Sequence, residues 1–200
     1  FLNSGGYAFL KQELVNLTKK YDSHVLCDLG CGEGYYTSGF QAEEKYGFDM
    51  SKEALKHASK NDPSTQYAVA SIFRLPLEDA SCDTAVTCFA PFAKDEIERV
   101  LTQGGRFFFV SPGPKHLFEL KQLIYDTPYE NEMKDLETTL VKEEEYFISN
   151  TFHCEKENLI SLFKMTPYYH RTRNEDLDKI NHQDGMDITA EFLIRVYQKR

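Results

Sequence analysis

The chain has 200 residues, 41% of them hydrophobic, which is enough for one globular core. Its formal charge of −9 argues against a non-specific nucleic-acid binder, whose affinity comes mainly from phosphate attraction, and predicts that the chain alone holds RNA weakly. No apolar run approaches membrane-spanning length and no secretory pattern opens the sequence, so a cytoplasmic protein without membrane association is expected.

Five cysteines (Cys27, Cys31, Cys82, Cys88 and Cys154) make an odd set without the paired spacing of a secreted disulfide scaffold, which suits a reducing compartment. Cys27 and Cys31 have no second pair downstream, so no metal site is expected within the chain. The opening on Phe1, in "FLNSGGY", leads to the expectation that an earlier segment has been left out.

A leading helix falls within residues 1–22. "GYAFLKQELVNLTKK" sets Phe9, Leu10, Leu14 and Leu17 on one face, with lysines at the end that the helix dipole favours. Residues 23–114 then alternate strand and helix. "HVLCDL" reads as a strand, a short helix is expected near 36–43, and "KYGFDM" is a second strand. Ser51 can cap the helix "KEALKHASK". "QYAVA" and "DTAVTCFA" are the next strands, helix "KDEIERVL" follows, and Gly104–Gly105 punctuate before the apolar strand "RFFFVS". Such alternation signals a parallel sheet with helices on both faces.

The rhythm changes over 115–200. "HLFELKQLIYD" is helical, "LETTLVKEEEYFISNTFH" is a strand with an acidic approach, "ENLISLFKM" is a helix and "ITAEFLIRVYQ" is a closing strand. Two late strands separated by a helix suit an antiparallel edge. The run "KEEEY" reads most simply as a solvated face. With no linker or repeat in view, residues 1–200 are expected to form a single domain.

"DLGCGEGYY", residues 28–36, carries the chemistry. Gly30, Gly32 and Gly34 follow a strand directly, and glycine there permits positive φ and lets a ligand approach the backbone. A dinucleotide fingerprint spaces its glycines G-x-G-x-x-G and seats a pyrophosphate on the helix N-terminus. Here the spacing is G-x-G-x-G behind Asp28, which would repel a pyrophosphate and welcome a cation. Asp49 ends the second strand, where a carboxylate can accept both ribose hydroxyls. A ligand with a ribose and a positive charge but no phosphate fits both acids, and S-adenosylmethionine is such a ligand.

The arrangement resembles the class I, Rossmann-like methyltransferases. That resemblance implies a seven-stranded, mostly parallel sheet with an antiparallel last strand. It also implies Asp28, Gly30, Gly32 and Gly34 near the methionine part, Asp49 on the ribose, and Ser71 where the family often places Asp or Asn beside the adenine. "SPGPKHLFELKQLIY" at 111–125 is similar to a segment of the bacterial 23S rRNA guanine-N1-methyltransferases. "FLNSGGY", "DLGCGEGYYT", "FAP" at 89–91 and "KMTPY" at 164–168 agree with the same family in the same order. This narrower resemblance adds Tyr7, Glu33 and His116 as cofactor contacts; the alternative is a core aromatic for Tyr7 and a helix N-terminal histidine that satisfies backbone for His116. It implies a 23S rRNA hairpin or pre-ribosomal particle as partner and allows a homodimer. Macrolide-resistance enzymes belong to the same family. Its members carry a Cys/His zinc module ahead of the methyltransferase domain, so zinc is expected only if such a module lies outside this sequence.

Guanine N1 lies inside a base pair, so the base must be unpaired or flipped, with aromatic stacking expected. Phe89, Phe92, Tyr168 and Tyr169 are the stacking candidates. Lys115, Lys121, Arg171 and Arg173 are candidates for RNA phosphates. No catalytic base stands out. Alternatives are a small-molecule methyltransferase, a nicotinamide-dependent oxidoreductase and a cofactor-binding protein without activity.

Overall fold

The computed structural model describes residues 5–166, Tyr169, Thr172 and 174–200. Its first half follows the apolar runs: β1 (Val25–Leu29), β2 (Glu44–Asp49), β3 (Gln66–Val69), β4 (Cys82–Cys88) and β5 (Leu101–Pro112). Helix α1 (Ala8–Lys20) precedes β1, α2 (Lys52–Asn61) joins β2 to β3, and α3 (Lys94–Val100) joins β4 to β5. The adjacent strands pair in parallel: β2 with β3, β1 with β2 and β4, and β4 with β5. The second half supplies α4 (Phe118–Ile124), β6 (Val141–Glu155), α5 (Lys156–Lys164), α6 (Asn174–Asn181) and β7 (Gly185–Gln198). The sheet order is β3-β2-β1-β4-β5-β7-β6 with β7 antiparallel, the seven-stranded Rossmann-like methyltransferase arrangement.

That order fixes where a ligand can lie. The chain leaves β1 toward β2 and β3 on one side, while β4 and its successors build the other. Loops after β1 and β4 therefore diverge and leave a crevice beyond the carboxyl ends of the strands. Under the crevice, Leu29, Phe48, Ile97, Leu101 and Phe107 are almost wholly buried. Each is worth ~1.5–3 kcal/mol relative to exposure.

Two compact units emerge from the contacts. One comprises Leu10–Ser111, Lys134–Tyr146 and Leu193–Arg200, and holds this core and the glycine loop. The other comprises Pro112–Met133 and Phe147–Phe192 with the opening residues up to Phe9.

Several expectations are corrected. Instead of a helix over 36–43 there is one 3-10 turn, Thr37–Gly39, after which Phe40 is already extended. Thr, Ser and Gly are poor helix formers, and the short stretch does not repay helix nucleation. Gly104 and Gly105 do not precede β5 but lie within it. Gly104 takes φ +81°, and the β4–β5 register slips between Cys82 and Thr84, so the glycines form a bulge. Among the described residues two helices, not one, separate β6 from β7, because α6 is too polar to announce itself. The acidic run is not simply solvated. Glu143 accepts from Arg106 at 2.9 Å, Glu144 from Lys20 at 2.6 Å and from the Tyr21 hydroxyl, and Glu145 from the buried Arg195 at 2.6 Å. Ser51 does cap α2, accepting from the Ala54 N–H at 3.2 Å.

Candidate functional site

The glycine loop is three positions with different duties. Gly30 (φ +83°) donates to the Phe48 carbonyl at 2.8 Å, and a Cβ there would meet the Ala90 Cβ at 2.8 Å. Gly34 (φ +73°) is pressed by the Tyr67 hydroxyl, 2.6 Å from where a Cβ would stand. Both glycines serve the fold. Gly32 (φ +54°) differs, because a Cβ built on it meets nothing within 4 Å. Its bare backbone faces open space, the clearance a ligand needs.

Two carboxylates flank this loop. Asp49, half-buried at the end of β2, accepts from the Gly32 N–H at 2.9 Å through Oδ2 and from the Ser51 N–H at 2.8 Å through Oδ1. Each oxygen keeps a second lone pair, so the group that shapes the loop can still accept from a ligand hydroxyl. Asp28 is 2% exposed, and the Thr37 hydroxyl donates to its Oδ2 at 2.5 Å. Burial pushes its pKa up to about 7 and the charge on Asp49 adds to this, against the opposing Thr37 hydrogen bond. Asp28 is thus a sealed carboxyl whose charge is disfavoured by burial and would be favoured by a nearby cation. Glu33 is exposed on the loop itself.

Ser71, half-buried after β3, accepts from the Phe73 N–H at 3.3 Å. Beside it are apolar side chains that the sequence reading missed. Met50, directly after Asp49, is 73% exposed, and Phe73 is 60% exposed. The Ala70 N–H donates to the Asp49 carbonyl at 3.1 Å, so the ends of β2 and β3 lie side by side. Exposed apolar groups there suit the face of a heteroaromatic ring. The signal was available in "FDMS", where a methionine follows a strand-ending acid.

At the end of β4, Phe89 takes φ +65°, a left-handed backbone uncommon for a phenylalanine, and donates its N–H to the Val110 carbonyl at 3.1 Å. Its side chain stays 42% exposed, edge-on to Tyr36 at 6.3 Å. Phe92 is placed differently. It stacks on Phe107 at 5.7 Å and packs against the core, which commits its ring internally.

The other unit holds a second group of expected residues. Tyr7 is buried, with its hydroxyl 3.2 Å from His116 Nε2, and both rings pack on Phe192. The Glu191 N–H donates to His116 Nδ1 at 3.3 Å, which assigns the imidazole proton to Nε2 and the donor role toward Tyr7. Burial lowers the His116 pKa to about 4, and the charge on Lys121 lowers it further. A histidine so placed is neutral at physiological pH. Lys115 is exposed. Lys121 is not available to phosphates: it is fully buried and donates to the Tyr129 carbonyl at 2.9 Å and to Asn131 Oδ1 at 2.7 Å. Tyr169 is half-buried, edge-on to Phe163 at 5.9 Å. Tyr168, Arg171 and Arg173 lie outside the described residues.

Residues 27–109, from β1 through most of β5, match the methyltransferase domain family. The chain carries a class I S-adenosylmethionine-dependent methyltransferase domain. The methyltransferase is 28% identical over 210 residues to YxjB of Bacillus subtilis, provisionally named a 23S rRNA (guanine-N1)-methyltransferase, an alignment spanning 94% of this chain and 71% of that one. It is 34% identical over 128 residues to the Streptomyces fradiae 23S rRNA (guanine(748)-N1)-methyltransferase, spanning 60% of this chain but only 46% of the relative. In fold, the methyltransferase superposes on Bacillus subtilis YcgJ with a TM-score of 0.61 at 17% identity, over 94% of this chain and 98% of the other. Among the described residues, no helix is long and apolar enough to cross a membrane.

The residues present fit S-adenosylmethionine. Gly32 leaves clearance at the loop, Asp49 retains acceptor capacity for ribose hydroxyls, and a buried carboxylate beneath the loop favours a cation.

Proposed function

We propose that this methyltransferase modifies N1 of a guanine in large-subunit ribosomal RNA. The supporting observation is the likeness to the Bacillus subtilis relative over 94% of the chain, which reaches well beyond the cofactor half into the segment after β5. When bound, S-adenosylmethionine supplies an activated methyl group. The chain's task is then to align an acceptor nitrogen with it, and positioning can contribute ~7–11 kcal/mol. Gly32 and Asp49 hold the ribose and methionine end, with Met50 and Phe73 beside the adenine. For Tyr7 and His116, which pair with each other in the other unit, a cofactor role rests on the family resemblance. Phe89 offers an exposed ring at the end of β4 on which a flipped base can stack. Methylation at N1 also requires the N1 proton to pass to water or to a base; loss after attack needs no strong base, loss before it does, and no residue stands out as that base.

The formal charge of −9 favours a second reading, methyl transfer to a small molecule with no phosphate backbone. Primer extension separates the two. N1 methylation blocks Watson–Crick pairing, so reverse transcriptase halts at the modified guanine in the parent strain. A stop that disappears on gene deletion and returns on complementation supports the rRNA reading and identifies the nucleotide. Stops unchanged by deletion overturn it in favour of the small-molecule reading.

A further inference from the structure

A charged residue stands in the middle of the apolar closing strand: Glu191, in "ITAEFLIRV". Its carboxylate does not face the bulk. Glu191 Oε1 accepts from the Lys115 N–H at 2.8 Å, and its carbonyl accepts from the Gly113 N–H at 2.8 Å. Its own N–H goes to His116 Nδ1. One residue of β7 thus holds three successive parts of the turn 113–116. Thr189, two residues earlier, continues the seam, accepting from the Leu117 N–H at 2.9 Å and donating to Glu119 Oε2 at 3.1 Å.

The turn is shaped around this carboxylate. A Cβ on Gly113 would stand 2.6 Å from Glu191 Oε1, so glycine is what lets the acid seat there. Leu117 closes the turn at φ +54°, a conformation that a leucine holds only when its surroundings over-determine it. The hydrogen bonds to Thr189 and Glu191 are those surroundings.

We propose that Glu191 is a positioning residue: it clamps the turn 113–116 so that His116 presents a fixed Nε2–H to Tyr7 and thereby keeps both in cofactor-binding geometry. The clamp stands on the contacts above, and its consequence for the cofactor rests on the reading of Tyr7 and His116 as cofactor contacts. Glu191 touches no reacting atom. Among the described residues, the charged and titratable groups that bear on His116 include Tyr7, Lys121 and Glu191 itself.

Nitrogen-15 NMR of labelled histidine in the full chain, without cofactor, reads the clamp directly. Glu191→Ala keeps the backbone N–H that reaches His116 but frees the turn from the carboxylate, and should convert His116 from a single Nε2–H tautomer to a mixture. Glu191→Gln, which keeps an acceptor for the Lys115 N–H, should preserve the tautomer. An unchanged His116 spectrum in Glu191→Ala overturns the clamp. Calorimetry with S-adenosylhomocysteine reads the consequence: Glu191→Ala should weaken binding by ~10-fold and Glu191→Gln by under ~3-fold, as expected for removing a charged acceptor compared with neutralising it. Loss of the tautomer with unchanged binding overturns the cofactor role of Tyr7 and His116 while leaving the clamp standing. If Glu191→Ala does not fold, Gly113→Ala serves the same readouts, since the added methyl displaces the carboxylate.

Discussion

Asp28 is a carboxylate nearly sealed from water, and its protonation is tied to stability and, in the proposed cofactor site, to binding. Its folded pKa of about 7 lies above the ordinary aspartate value, so the folded state binds the extra proton in between. Stability from this group is complete below about pH 4 and is lost as pH rises through 7. Asp28→Asn should therefore flatten the fall in melting temperature between pH 4 and 7, as thermal melts across that range would show. A cation bound above the loop pulls the same equilibrium the other way and favours the carboxylate. S-adenosylmethionine binding at pH 6 should then release protons, measured by calorimetry in two buffers of different ionisation enthalpy, and the release should vanish in Asp28→Asn. Equal release in the variant would move the source elsewhere.

The 3-10 turn Thr37–Gly39 is a small element with an outsized duty, because it delivers the Thr37 hydroxyl to Asp28. Lys45, from β2, donates to the Thr37 carbonyl at 3.3 Å and to Asp62 Oδ2 at 2.9 Å, just past the end of α2. Both side chains of that ion pair are only 10% exposed. Burial raises the Asp62 pKa, but hydrogen bonds from Ser64, Thr65 and Lys45 outweigh it and hold the acid at about 2. This group's stabilisation is present above about pH 4 and lost as pH falls toward 2, the opposite sense to Asp28. Lys45→Met leaves a buried carboxylate without its cation, at a cost of about 3 kcal/mol. The melting temperature should fall by roughly 10 °C at pH 7, with a smaller deficit near pH 2, where Asp62 becomes protonated in both proteins. An equal deficit at both pH values would show that packing of the Lys45 stem, and not charge, is what the substitution removes.

Elements such as this turn explain what could be read from the sequence and what could not. Parallel strands buried on both faces leave continuous apolar runs, so β1, β2, β4 and β5 were legible, as was the loop whose glycines alternate behind Asp28. The division of labour among those glycines was not legible, because Gly30 and Gly34 are set by Ala90 and Tyr67, far away in the chain. Lys121 looked like a surface cation on a helix, and only the fold shows that Tyr129 and Asn131 enclose it. Glu191 appeared merely as a charge in an apolar strand. Its partners stand more than seventy residues earlier, and no local pattern links them.

For the whole molecule, 32 acidic against 23 basic side chains set a limit on how RNA can be held. A protein that gathers phosphates loses affinity steeply with salt, because each neutralised phosphate releases condensed counterions. Lys121 is withdrawn into the interior, and Lys20, Arg106 and Arg195 are engaged by the acidic residues of β6, so fewer cations remain than the composition suggests. If the proposed rRNA substrate holds, recognition should then lean on the flipped base and its stacking, which salt barely screens. Binding of an rRNA hairpin to this chain, followed by fluorescence anisotropy between 50 and 300 mM salt, should show a shallow slope of log K against log salt, on the order of −2, as two or three phosphate contacts would give. Phe89→Ala should weaken that binding by ~1–3 kcal/mol, the worth of one stacked base, and leave the slope unchanged. A slope steeper than about −5 would mean that a concentrated basic surface holds the RNA after all, since many neutralised phosphates are needed to produce it. Affinity lost in Phe89→Ala together with a changed slope would place Phe89 in the backbone contacts rather than under the base.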